Sequence, residues 1–124
     1  MFKGYHHIGL YVQDMEKSLK FYQEGLGGKI TMSFGPEDHK IYMVELGPGA
    51  VVELLPAKEA GTENRPWAHI ALWPENTREA FDRAVAAGAT VRSEPRNGEL
   101  GGSKMTNAFI IGPDGEVIEF FEVK

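Results

Sequence analysis

Along the chain, short runs of alternating apolar and polar residues are interrupted twice by segments whose apolar positions recur every three or four residues. The first alternating run, around His7-Ile8-Gly9-Leu10-Tyr11-Val12, predicts a strand, and Asp14 then stands as a cap before a helical pattern from Met15 to Glu24. Met15, Leu19 and Tyr22 share one face of that helix, which closes on Gly25. Three more strands are predicted after it, Lys29 to Phe34, Lys40 to Leu46 and Val51 to Leu55. The second interruption follows His69-Ile70-Ala71-Leu72-Trp73: Asn76 or Thr77 caps a helix from Arg78 to Ala87, with Ala80, Phe81, Ala84 and Val85 on its apolar face and Gly88 at its end. Strands at Thr90 to Glu94, Thr106 to Ile111 and Val117 to Val123 complete the pattern.

The order strand, helix, three strands therefore occurs twice, and the two copies match in detail. His7-Ile8-Gly9-Leu10-Tyr11 aligns with His69-Ile70-Ala71-Leu72-Trp73. Gly47-Pro48-Gly49 leads into Val51-Val52-Glu53-Leu54-Leu55 as Gly112-Pro113-Asp114-Gly115 leads into Val117-Ile118-Glu119-Phe120-Phe121. The fold class is α+β: one domain over residues 1–124 made of two βαβββ modules, 1–57 and 67–124, whose helices cover one side of a mixed sheet. Lys58 to Pro66, polar and without periodicity, is the linker between them.

Composition narrows what such a domain does. With 124 residues, 42% of them hydrophobic, the chain supports one core but not two independent domains. A net charge of -5 without long runs of one sign argues against nucleic acid as a partner. No apolar stretch is long enough to span a membrane, and the first residues enter a patterned strand without the look of a signal sequence, so a cytoplasmic location is expected. The absence of cysteine excludes thiolate metal sites and a cysteine nucleophile.

Strand alternation puts His7, Gly9 and Tyr11 on one face of the first strand and Ile8, Leu10 and Val12 on the other, against the helix. His69, Ala71 and Trp73 separate in the same way from Ile70 and Leu72, Glu53 from Val52 and Leu54, and Glu119 from Ile118 and Phe120. A glutamate between aliphatic neighbours is costly to bury unless it is paired or bound to a cation, and here it recurs at equivalent positions. Two imidazoles and two carboxylates, His7, Glu53, His69 and Glu119, suit one divalent metal ion, Zn, Ni, Co, Mn or Fe. His6 falls on the opposite side from His7 and is assigned to structure or surface, and His39, beside Glu37 and Asp38, to a solvated turn. Gly98 to Lys104 has the flavour of a phosphate loop but lacks the glycine before its lysine and is followed by no helix pattern. It is expected to be a mobile loop at a cavity rim, with Lys104 able to meet an anionic substrate.

On these residues the chain resembles the vicinal oxygen chelate superfamily, the glyoxalase, bleomycin-resistance and extradiol-dioxygenase group. His7 through Asp14 with Ser18-Leu19-Lys20-Phe21-Tyr22, then Val52-Glu53-Leu54, His69-Ile70-Ala71-Leu72, and Gly112-Pro113-Asp114-Gly115 through Ile118-Glu119-Phe120 carry the resemblance. It implies a cupped sheet with the helices on its outer face, around a metal that the substrate chelates through neighbouring oxygens. The His, Glu, His, Glu set is similar to that of the glyoxalase I (lactoylglutathione lyase) branch. That similarity implies proton transfer through a metal-stabilised enediolate, with Glu119 removing the proton and Glu53 returning it, or the reverse for the other substrate hand. It also implies a homodimer acting on a small molecule such as the thiol adduct of a 2-oxoaldehyde. Tyr11 and Ala57 stand where glutathione-using relatives place Arg and Asn, and Tyr11, Trp73 and Phe121 offer an aromatic cavity mouth instead. The resemblance equally embraces a metal-dependent epimerase or dioxygenase, and a metal-free protein that sequesters an aromatic drug between those three rings.

Overall fold

The computed structural model describes residues 1–57, 67–112 and 117–124. The predicted linker, 58–66, and most of the predicted turn after Gly112 lie outside the described residues. Eight strands and two α-helices are present among the described residues, in the order β1 (Phe2–Val12), α1 (Met15–Lys20), β2 (Lys29–Phe34), β3 (Ile41–Gly47), β4 (Ala50–Pro56), β5 (Trp67–Pro74), α2 (Thr77–Ala86), β6 (Thr90–Leu100), β7 (Ser103–Ile111) and β8 (Val117–Val123). The chain divides into two units, His7–Ala68 and a second that joins Met1–His6 to His69–Lys124, so β1 contributes residues to both. The strand-helix-three-strand repeat is thus the architecture observed.

In the unit His7–Ala68 the strand order is β2-β3-β4-β1. β1 runs parallel to β4 with Gly9 opposite Glu53 and Leu10 opposite Leu54, and β3 pairs antiparallel with both β4 and β2. Asp14 caps α1 by accepting from the Lys17 amide at 3.1 Å. The α-helix ends at Lys20, short of the expected Glu24, and a π-helical turn over Phe21–Gly25 replaces its last turn. There the Leu26 amide reaches back to the Phe21 carbonyl, and Gly28 donates to Tyr22 at 2.8 Å. Only glycine fits at position 28, because a Cβ would stand 2.6 Å from Val44 Cγ1. Met15, Leu19 and Tyr22 pack with Leu10 against Val12, Val44 and Leu54, as the helical spacing predicts. Burial of Val44 and Leu54, both fully enclosed, contributes roughly 1.5–3 kcal/mol each.

In the other unit the order is β5-β8-β7-β6, with β5 parallel to β8 and the remaining pairs antiparallel. Asn76 caps α2 by accepting from the Glu79 amide at 3.0 Å. Ala80 and Phe81 pack against Ala108, Ile110 and Phe120, with Ala84 beside them. Val85, expected on the same face, is exposed. Phe2 stacks on Phe120 with ring centroids 5.7 Å apart, which ties the start of β1 to this core. Glu122, near the end of β8, accepts from both the amide and the hydroxyl of Thr77 at 2.8 Å and so closes the N-terminus of α2.

Three further expectations are corrected. The segment Gly98 to Lys104 is no loop: β6 continues to Leu100, Gly101 and Gly102 form a two-residue turn with φ 55° and 84°, and β7 starts at Ser103. Both turn residues need positive φ, which is why a glycine pair sits there. Second, β6 runs past Pro95, which the edge of a sheet tolerates because its missing N–H faces no partner, and the register shifts between Ser93 and Arg96. Third, Ile8 and Ile70 do not meet a helix and are 40% and 44% exposed.

Candidate metal centre

Each unit builds one His–Glu pair by the same device. In β1 a small residue, Gly9, separates His7 from Tyr11 on one face, and Gly9 is the register partner of Glu53 on β4. With no side chain at position 9, the Glu53 carboxylate reaches diagonally along the sheet to His7, and its Oε1 lies 3.6 Å from His7 Nε2. Both residues are buried, His7 at 2% and Glu53 at 6% exposure. In the other unit Ala71 plays the part of Gly9: it is the register partner of Glu119, whose Oε1 lies 3.1 Å from His69 Nε2. Glu119 is 4% exposed, and the His69 side chain is nearly buried. The Glu119 carboxylate also accepts from Asn107 Nδ2 on β7 at 3.1 Å, and the His69 ring stands edge-on to Phe109 at 5.7 Å.

A carboxylate taken out of water costs several kcal/mol unless a cation or strong donors compensate it. Both halves place an imidazole nitrogen against a buried carboxylate oxygen, and each of these atoms is a good donor for a borderline divalent cation. The donor set therefore fits a metal ion.

The other expected residues lie as follows. Tyr11, half-buried, extends the His7 face of β1. Trp73 and Phe121 come together around His6, whose ring lies 4.4 Å from Phe121 and edge-on to Trp73 at 5.4 Å. Lys3 Nζ sits 4.9 Å from the centre of the Trp73 ring, and Trp73 Nε1 is buried with no hydrogen-bond partner among the described residues. Lys104 is set apart: it shares its face of β7 with Thr106, Ala108 and Ile110, the side that packs on α2, opposite to Glu119. His39 is half-buried in a 3₁₀ turn rather than solvated, with Nδ1 enclosed and unpartnered among the described residues. His6, assigned by sequence to structure or surface, packs on Phe121 and Trp73, and Asn107, a polar residue within the largely apolar run Met105 to Ile111, was a visible signal that the sequence reading did not single out.

A family model described as Glyoxalase/Bleomycin resistance protein/Dioxygenase superfamily matches residues 4–120. The lactoylglutathione lyase of Salmonella typhimurium is 32% identical over 125 residues, which cover 95% of this chain and 91% of that protein. The uncharacterized protein YwbC of Bacillus subtilis is 32% identical over 128 residues, 98% of this chain and 99% of its own. Among solved structures, methylmalonyl-CoA epimerase from Mycobacterium tuberculosis superposes with a TM-score of 0.76 at 20% identity, covering 98% of this chain and 88% of that one, a likeness of fold.

Proposed function

The chain belongs to the Glyoxalase/Bleomycin resistance protein/Dioxygenase superfamily, and from that membership we propose that it is a divalent-metal-dependent lyase or isomerase of the glyoxalase I type. The observation that carries the proposal is the buried His–Glu pair that recurs at repeat-equivalent positions, His7 with Glu53 and His69 with Glu119. These four residues are assigned as the ligands of one ion, of Ni, Zn or Co. Bound there, the ion would act as a Lewis acid on the neighbouring oxygens of the substrate, lowering the cost of the negative charge that forms when a C–H proton leaves.

The protein's own residues carry the proton. Glu119 accepts it from the hydroxyl-bearing carbon next to the carbonyl, and the C–H pair forms a C=C bond as the carbonyl π pair moves onto oxygen. The hydroxyl proton passes to Glu53, which delivers it to the former carbonyl carbon, and Glu119 returns its proton to the oxygen on that carbon, so both carboxylates end as they began. The reverse assignment serves the opposite substrate hand. Tyr11 and Trp73 supply apolar ring surface for the remainder of the substrate, whereas Phe121, expected at the same cavity mouth, is fully buried against His6. With Tyr11 and Ala57 in place of groups suited to a peptide-like thiol, the cosubstrate is assigned to small thiols other than glutathione.

The test pairs metal analysis of protein purified without added metal with an assay of methylglyoxal against a panel of low-molecular-weight thiols. One equivalent of metal and turnover with at least one adduct are expected; protein without stoichiometric metal that also stays inactive after Ni, Co or Zn is added sinks the proposal. A second reading, an epimerase that removes and returns a proton at one carbon, gains from the same Tyr11 and Ala57 substitutions. Solvent deuterium appearing in a chiral acyl-CoA thioester, without turnover of any methylglyoxal adduct, would select it.

A further inference from the structure

The two His–Glu pairs occupy equivalent places in the repeat, yet their surroundings differ at a position that decides hydrogen bonding. Phe109 is the register partner of Glu119, and Asn107, two residues earlier on β7, falls on the same face. In the other half Met43 is the register partner of Glu53, and two residues earlier on β3 stands Ile41. An isoleucine side chain cannot donate a hydrogen bond; an asparagine amide can. A carboxylate only accepts, so it is the Asn107 nitrogen, not its oxygen, that turns toward Glu119. With Nδ2 at 3.1 Å from Oε2, and His69 Nε2 at 3.1 Å from Oε1, both oxygens of Glu119 are engaged and the plane of the carboxylate is set.

We infer that Asn107 is a positioning residue that fixes the Glu119 carboxylate for metal binding. The inference rests on the metal-ligand role proposed for Glu119. An amide held on a strand, in register between β6 and β8, orients a ligand at little entropic cost, since strand pairing has already ordered the backbone that carries it. Ile41, at the matching place on β3, cannot supply this hydrogen bond.

The test is a Co(II) titration of the full chain, followed by visible absorption and by competition with a chelator of known affinity. Asn107→Leu, close in size but without a donor, is expected to weaken Co(II) binding about 10- to 100-fold, the usual effect of removing a partner from a metal ligand, and to alter the absorption bands of the Co(II) form. Thermal unfolding of the metal-free variant reports whether the strand is intact, and Asn107→Ala repeats the comparison with a smaller side chain. Wild-type affinity and an unchanged spectrum in both variants would overturn the inference while leaving the metal proposal standing. A wild-type protein that binds no Co(II) would overturn both.

Discussion

Glu119 and Glu53 are acidic residues that strand geometry removes from water, and that location makes their substitution informative. Glu119→Gln keeps the shape and loses the base, so turnover is expected to fall by roughly 10²- to 10⁴-fold while the circular dichroism spectrum stays that of the wild type. Near-wild-type activity in that variant would remove Glu119 from proton transfer. The core makes a separate demand: Leu54 is fully buried beside Val12 and Val44, and Leu54→Ala is expected to cost about 2–5 kcal/mol, read from the urea midpoint at constant slope. At this scale the sequence was a good guide to which way a residue points along its own strand. Alternation and the repeat together singled out His7, Glu53, His69 and Glu119, and the structure pairs His7 with Glu53 and His69 with Glu119. Alternation places a side chain on a face but not against its neighbour, so the partnership of Asn107 with Glu119 needed the register of β7 on β8. Lys104 was misplaced because its glycine-rich approach reads as a loop; once that stretch is a hairpin, the parity of β7 sends the lysine to the helix side.

Among the elements, α2 shows how a helix is fastened at its start. Asn76→Ala removes the side chain that accepts from Glu79 and is expected to cost about 1 kcal/mol. The second fastening is Glu122. Burial works against its charge, but hydrogen bonds from Lys124 and from the hydroxyl and amide of Thr77, with the nearby Lys124 charge, outweigh that and hold its carboxyl below the ordinary 4.5. A carboxyl whose folded value is depressed lends stability that is complete well above its unfolded value and is lost as the pH falls through the folded one. The stability difference between wild type and Glu122→Gln should therefore be level at neutral pH and close on acidification below about 4.5. A difference that grows in acid would show that the carboxylate does not hold α2. The caps of both helices and most strand centres were legible from the sequence. The π-helical end of α1 was not, since the Phe21 carbonyl meets Leu26 only because the chain must pass tightly beside Val44 at Gly28. Nor was the length of β6, where Pro95 and Gly98 look like breakers and an edge strand absorbs them.

For the molecule as a whole, a cation bound only by the folded chain adds stability by mass action, about 2.7 kcal/mol when free metal is 100-fold above its dissociation constant. Saturating Ni, Co or Zn is expected to raise the melting temperature and a chelator to lower it reversibly; no change in either direction would argue against a four-ligand ion. By family resemblance the chain is expected to form a homodimer, checked by sedimentation with and without metal. No helix among the described residues is long and apolar enough to cross a membrane, in line with the absence of any such stretch in the sequence.

The repeat suggests that the protein could be divided at residues 58–66 into two self-sufficient pieces, and β1 argues otherwise. Its opening residues, Met1–His6, belong with His69–Lys124, where Phe2 stacks on Phe120 and His6 packs against Phe121 and Trp73. A fragment holding only residues 67–124 would be missing part of its own core and should stay unfolded until a peptide spanning the first residues is supplied. If an ancestral half-sized chain was once duplicated to give this one, the opening of the first copy has since become part of the second, and a cut between the copies parts residues 1–6 from the rings they pack on.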